Sequence, residues 1–183
     1  MNATEALSRL KEGNERFVTA RSNDGDISSE LREKTTKFGQ QPYAVVISCS
    51  DSRVVPEHIF MTGIAELFVI RVAGNIVTDT QLASVVYAAD HLKSPLVVVM
   101  GHTHCGAIDS TIKHAGHGCL CALTDPIAEA IGEETDDRTA CKLNVEAGVS
   151  ALKANAAVKG LIDAGVEVVG AIYDIETGKV EFL

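Results

Sequence analysis

The stretch Tyr43-Ala44-Val45-Val46-Ile47-Ser48-Cys49-Ser50-Asp51-Ser52-Arg53 decides the fold. Tyr43 to Ile47 is a continuous apolar run, the pattern of a strand covered on both faces. It stops abruptly on thiol, hydroxyl, carboxylate and guanidinium groups. A second run, Leu96-Val97-Val98-Val99-Met100, stops on Gly101-His102-Thr103-His104-Cys105-Gly106. Strands buried on both faces belong to parallel α/β sheets, where ligand and catalytic groups gather at the carboxyl ends. One end offers Cys49, Asp51 and Arg53 at alternating positions, and the other offers His102-x-x-Cys105. Two soft thiolates and one imidazole make a three-ligand zinc set with the fourth tetrahedral place open, the pattern of a catalytic zinc rather than a structural one. His102-x-x-Cys105 alone would equally suit a hydrogen-bonded histidine beside a core strand, with Cys49 a buried thiol and Asp51–Arg53 a surface pair. The two strand ends read together favour the metal.

Upstream, Gly39-Gln40-Gln41-Pro42 leads into the first strand. Asn2 and Glu5 have the spacing of a capping box, and Leu7, Leu10 and Phe17 give the helix after it an apolar side. Ser22 to Asp26 reads as a loop and Ser28 to Lys37 as a polar helix or linker. Residues 1–38 are thus expected to form a helical arm on a single domain spanning 1–183.

Downstream, Pro56 suits the first turn of a short helix to Met61. Leu67 to Val72 reads as a second buried strand, ending at Ala73-Gly74-Asn75. Thr78 with Gln81 opens a helix that carries Leu82, Val86 and Ala89 and ends near His91. A helix over Gly106 to His114, a loop from Gly116 to Leu120 and a helix from Asp125-Pro126 to Gly132 follow. Val145, Val149 and Leu152 mark a longer helix. Val166 to Ile172 is the fourth strand, and after a turn at Glu176 to Lys179, Val180 to Leu183 pairs back. The expected fold is α/β: a mostly parallel central sheet of four strands with a C-terminal antiparallel edge strand and helices on both faces.

With 183 residues, 46% of them hydrophobic, the chain can bury a sizeable core. A formal net charge of −9 argues against nucleic acid as a partner. No apolar run approaches the roughly 18 residues of a membrane span, and the first residues do not read as a secretion signal. A cytoplasmic protein without a membrane partner is expected. Its five cysteines then point to metal ligation or free thiols rather than a disulfide framework. Cys119-x-Cys121 and Cys141 read as free thiols.

Cys49-Ser50-Asp51-Ser52-Arg53, Arg71-Val72-Ala73-Gly74-Asn75 and Gly101-His102-Thr103-His104-Cys105-Gly106 resemble, in that order, the motifs of the β-class carbonic anhydrases. The likeness extends to Gly170-Ala171-Ile172-Tyr173-Asp174 and Thr177-Gly178. It implies one Zn2+ per chain on Cys49, His102 and Cys105, with Asp51 and Arg53 as the pair characteristic of that family. It also implies interconversion of carbon dioxide plus water with bicarbonate plus a proton, by attack of zinc-bound hydroxide. Similarity to the plant-like branch makes Gln40, Phe68 and Tyr87 the lining of an apolar substrate pocket shared between subunits, with Gly106 offering a backbone N–H to an anion. A homodimer or higher homo-oligomer follows from that. Val72 stands where the family usually carries asparagine, so side-chain amide bonds are not expected at that turn. His58, His91, His114 and His117 are unranked candidates for proton transfer, and His104 lies between two of the ligands, facing solvent. Two other readings stay open: a carbonyl sulfide or carbon disulfide hydrolase on the same fold, and a non-catalytic zinc-binding or bicarbonate-sensing protein. Asp51 and Arg53 argue against the last, because structural zinc needs neither.

Overall fold

The computed structural model describes residues 1–183. Its five strands are β1 (Ala44–Ser48), β2 (Leu67–Arg71), β3 (Leu96–His102), β4 (Glu167–Tyr173) and β5 (Val180–Phe182). They form one sheet in the order β2-β1-β3-β4-β5. The first four run parallel, and β5 turns back antiparallel on β4, as the sequence pattern predicts. The helices are α1 (Ala3–Phe17), α2 (Ser29–Phe38), α3 (Pro56–Ile59), α4 (Asp79–Val86), α5 (Gly106–Ile112), α6 (Cys121–Ile131), α7 (Asp137–Ala154) and α8 (Ala156–Asp163). A π-helical turn, Tyr87–His91, continues α4.

β1 and β3 are buried along their whole length, and their side chains alternate between two helical layers. Ala44, Val46, Leu96, Val98 and Met100 pack with Ala6, Leu10, Ile59 and Phe60 on one face. Val45, Ile47, Val97 and Val99 pack with Val85, Val145, Leu152 and Val158 on the other. Each fully buried Val, Leu or Ile contributes roughly 1.5–3 kcal/mol, so these rows dominate the stability of the sheet. A third apolar cluster, including Cys49, Cys105, Ile108, Ile127, Ala140 and Cys141, closes the carboxyl end of the sheet beneath α5, α6 and α7. It makes a dry floor at the place where both sequence motifs emerge.

Both capping boxes form, Asn2 with Glu5 and Thr78 with Gln81. α1 buries Ala3, Ala6, Leu10 and Asn14, whereas α2 buries nothing. The structure departs from the sequence pattern in four places. β2 ends at Arg71 and lies at the sheet edge with only Leu67 buried, so it is not the strand covered on both faces that its apolar run suggested. β3 continues to His102, so that histidine is a strand residue and not part of the turn. α6 begins at Cys121, and Pro126 lies inside it. A 3-10 turn at Gly118–Leu120 runs directly into α6, so the helix is already under way where proline's fixed φ, itself helical, is met. α8 has no counterpart in the sequence reading; its signal is the Asn155 side chain, which accepts the N–H groups of Ala157 and Val158. No helix is long and apolar enough to cross a membrane.

Candidate metal centre

Three elements deliver the candidate ligands. Cys49 follows the last residue of β1, His102 is the last residue of β3, and Cys105 is the N-cap of α5. Pairing of Ser48 with Met100 puts the two strand ends side by side. Between His102 and Cys105 the chain reverses through His104 at φ 56°. The Asp137 carboxylate holds that strained residue by accepting its N–H at 2.8 Å.

The ligand atoms of Cys49, His102 and Cys105 lie within 4.8 Å of one another, and no other group of three potential metal ligands converges in the molecule. All three side chains are buried. The two sulfurs are 4.0 Å apart. A tetrahedral zinc with bonds of about 2.3 Å separates two sulfurs by about 3.8 Å, so the spacing fits. His102 supplies a second test. Its Nδ1 lies 2.9 Å from the Thr103 carbonyl oxygen. A carbonyl can only accept, so Nδ1 carries the proton and Nε2 keeps its lone pair. Nε2 is buried without a partner, a state that costs stability unless something is bound there. The donor set therefore fits a zinc ion.

The sulfurs titrate as a pair. The hydrogen bond shared with Cys105 pulls the pKa of Cys49 far below the ordinary thiol value, aided by the backbone N–H groups of Asp51 and Gly74. Cys105 is driven up, first by that same shared proton and then by burial.

Asp51 gives both carboxylate oxygens to Arg53. Arg53 Nε donates to Oδ1 at 2.9 Å and Nη2 to Oδ2 at 2.7 Å, and the Arg53 backbone N–H also reaches Oδ1 at 2.9 Å. This bidentate hold keeps Asp51 well below the usual carboxylate range. Arg53 Nη2 also donates to the His104 carbonyl at 3.2 Å, tying the two motifs together. Asp51 is not among the converging ligand atoms. Gly106 opens α5 directly after Cys105, and nothing lies within 4 Å of where a Cβ would be.

The structure does not bring Gln40, Phe68 and Tyr87 to this cluster. Phe68 pairs with Val45, three residues back from the Ser48–Arg71 pair at the site end. It stacks on Tyr87 with ring centroids 6.1 Å apart, and Tyr87 stacks on His91 at 5.4 Å. Tyr87 is 48% exposed. Gln40 lines a separate cleft of about 570 Å³ with Tyr43, Glu66 and His91.

Sequence reading placed Arg71 in a motif and expected Gly74 to permit a sharp turn or close backbone approach, but tied neither to a ligand; both touch the site. Arg71 Nε donates to the Cys49 carbonyl at 3.1 Å and Nη2 to the Asp51 carbonyl at 2.8 Å. The signal for Arg71 was its place at the end of β2, level with Ser48. Gly74 donates its N–H to the Cys49 sulfur at 3.4 Å. Val72 leaves the turn intact, because backbone bonds from Val72 N to Ser48 O and from Asn75 N to Val72 O close it. Cys119 is exposed and Cys121 half-buried, and neither joins a metal group.

A family model described as carbonic anhydrase matches residues 44–180. The carbonic anhydrase of Mycolicibacterium smegmatis is 32% identical over 192 residues, covering 98% of this chain and 93% of that one. Carbonic anhydrase 2 of Mycobacterium tuberculosis is 41% identical over 119 residues, 65% of this chain and 57% of that one. Among solved structures, the β-carbonic anhydrase CafA of Aspergillus fumigatus superposes with a TM-score of 0.76 at 27% identity, covering 98% and 89% of the two chains. A tetrameric β-carbonic anhydrase of Sordaria macrospora gives 0.74 at 29% identity, covering 85% and 87%.

Proposed function

The chain belongs to the β-class carbonic anhydrases, and from that premise we propose a zinc-dependent interconversion of carbon dioxide and water with bicarbonate and a proton, centred on Cys49, His102 and Cys105. The observation that carries the reading is the convergence of two thiols and an unpartnered imidazole nitrogen beside a carboxylate pinned by arginine. A zinc ion held there supplies Lewis acidity that makes hydroxide available near neutral pH.

The chain's own residues do the rest. Asp51, kept ionised by Arg53, can only accept a hydrogen bond, so it fixes the orientation of the attacking hydroxide and aims a lone pair at the carbon of carbon dioxide. Arg53 also keeps the carboxylate out of the ligand set, which leaves the fourth place to solvent and substrate. The Gly106 N–H, at the start of α5, is the donor we assign to the negative charge that would develop on the product oxygen. Two thiolates cancel the formal charge of the ion, so the proton should leave at a higher pH than at a centre of three neutral ligands.

We further infer a homo-oligomer whose pocket is completed by a second copy. Phe68 and Tyr87 form a half-exposed aromatic pair away from their own chain's cluster. Only a neighbouring chain could set them against a metal centre and keep its substrate space dry. The tetrameric assembly of the Sordaria macrospora enzymes agrees with this reading. Stopped-flow measurement of carbon dioxide hydration, on protein of quantified zinc content, tests the proposal; loaded protein that does not raise the rate above that of buffer would refute it.

A further inference from the structure

Gly74 occupies a place that a glycine cannot hold unaided. Its φ is 71°, and a Cβ there would come within 2.6 Å of Ile127 Cδ1, so a side chain would be strained and would have to push Ile127 aside. Without a Cβ the backbone is free to rotate. Yet the Gly74 N–H must point at the Cys49 sulfur, 3.4 Å away. The neighbouring residue, Asn75, is also left-handed at φ 43°, a strained state that persists only where the surroundings dictate it.

The restraint comes from α7. Asn144 is buried, and its Nδ2 donates to the Gly74 carbonyl at 2.8 Å. α7 itself is fixed by the buried Ala140, Cys141, Val145 and Gly148. Its position is also set against the end of β3, where a Cβ on Gly101 would meet Cys141 Sγ and Val145 Cγ2, each at 2.7 Å. An unbroken chain of contacts therefore runs from a rigid helix, through Asn144 and Gly74, to one sulfur of the metal centre.

We propose that Asn144 is a positioning residue for the metal centre, acting through Gly74 on the sulfur of Cys49. The inference rests on the zinc reading above. The N–H of Gly74 withdraws electron density from the thiolate and fixes its direction. Asn144 keeps that N–H in place. Partners of this kind around a metal ligand are typically worth 10–100-fold in metal affinity or activity.

The test compares two buried asparagines. Asn144→Leu keeps the volume and removes the donor. Asn14→Leu does the same at Asn14, which bonds to Gly178 and Val180, outside the metal cluster. Zinc affinity is read by chelator competition, and the sulfur by the thiolate-to-cobalt charge-transfer band of cobalt-substituted protein. Asn144→Leu should weaken zinc about 10-fold or more and shift the band, while Asn14→Leu loses stability but moves neither. Unchanged affinity and band in Asn144→Leu overturns the inference, and so do equal changes in both variants. Should Asn144→Leu fail to fold, Asn144→Ala carries the same test, since it removes the same Nδ2 donor without adding bulk; unchanged affinity and band again overturn the inference. A wild-type chain that takes up neither zinc nor cobalt removes the zinc reading and this inference together. A wild-type chain that loads normally beside an unaltered Asn144→Leu removes this inference alone.

Discussion

His102 Nδ1 and the carbonyl oxygen of Thr103, one residue apart in sequence, stand 2.9 Å from each other. That contact settles which ring nitrogen can meet a metal. Thr103 is in turn held by β4, with its N–H on the Tyr173 carbonyl at 3.0 Å and its hydroxyl accepting the Ile175 N–H at 3.1 Å. The carbonyl that orients the imidazole therefore belongs to a turn residue that is tied to the strand beside it.

Zinc should accordingly bind at one equivalent per chain. Cys49→Ser should lose metal and activity together, and His102→Ala should do the same. Metal analysis after exhaustive dialysis checks both; a Cys49→Ser protein that kept full zinc and full rate would take Cys49 off the ligand set. Cys119→Ser with Cys121→Ser should leave zinc content untouched, because neither thiol converges with other ligands.

Activity should require the assembled oligomer. Phe68→Ala should keep zinc yet lower the hydration rate, because it removes one ring of the Phe68–Tyr87 pair from the space proposed to lie against a neighbour's centre. Rate per zinc followed against dilution, with mass measured in parallel, gives the check. Full activity in demonstrably monomeric protein would end the shared-pocket idea.

The arm helix α1 should be a stability element separable from the chemistry. Asn14 is buried; its Nδ2 donates to the Gly178 carbonyl at 2.8 Å and its Oδ1 accepts the Val180 N–H at 2.8 Å. It thus ties the first helix to the last hairpin. Asn14→Ala leaves these half-buried partners, and the Ile59 carbonyl that Nδ2 also reaches at 3.3 Å, without it, at roughly 1–3 kcal/mol in all. Denaturant unfolding should show a loss in that range with the zinc content of the native protein unchanged.

What could be read from the chain alone followed its periodicity. Uninterrupted apolar runs at Ala44–Ile47 and Leu96–Met100 announced strands buried on both faces, and the polar residues after them marked the sheet's carboxyl end. Hence the ligands and the Asp51–Arg53 pair were legible. Arg71 and Gly74 were not, because their roles depend on strand register and on a backbone N–H, neither of which has a residue-type signature. Asn144 was hidden for a related reason: a polar residue in an otherwise amphipathic helix looks like a solvent-facing position until the turn it clamps is seen. α8 was lost because its eight residues are too few to build a periodic signal.

The Asp51–Arg53 pair separates an enzyme from a zinc-binding scaffold, since three ligands hold a metal without either residue. Arg53→Ala frees both Asp51 oxygens, and the loosened carboxylate should then enter the ligand set and block it, abolishing hydration with zinc retained. Asp51→Asn cannot enter as an anion and accepts a weaker hydrogen bond. It should keep an open site and turn over slowly, with losses in the roughly 10²–10⁴ range of a removed orienting or acid–base group. The pH dependence follows from the sign of the shift. Asp51 is depressed by Arg53, so its contribution to stability is complete above the ordinary carboxylate value near 4 and fades as pH falls below it. Wild type should therefore lose more stability than Asp51→Asn on acidification below about pH 4, while the two respond alike between pH 6 and 8. Rate per zinc against pH, acid unfolding of wild type and Asp51→Asn, and a structure of Arg53→Ala give the measurements. Near-normal rates in both variants would reduce the pair to a surface ion pair and remove Asp51 from the mechanism.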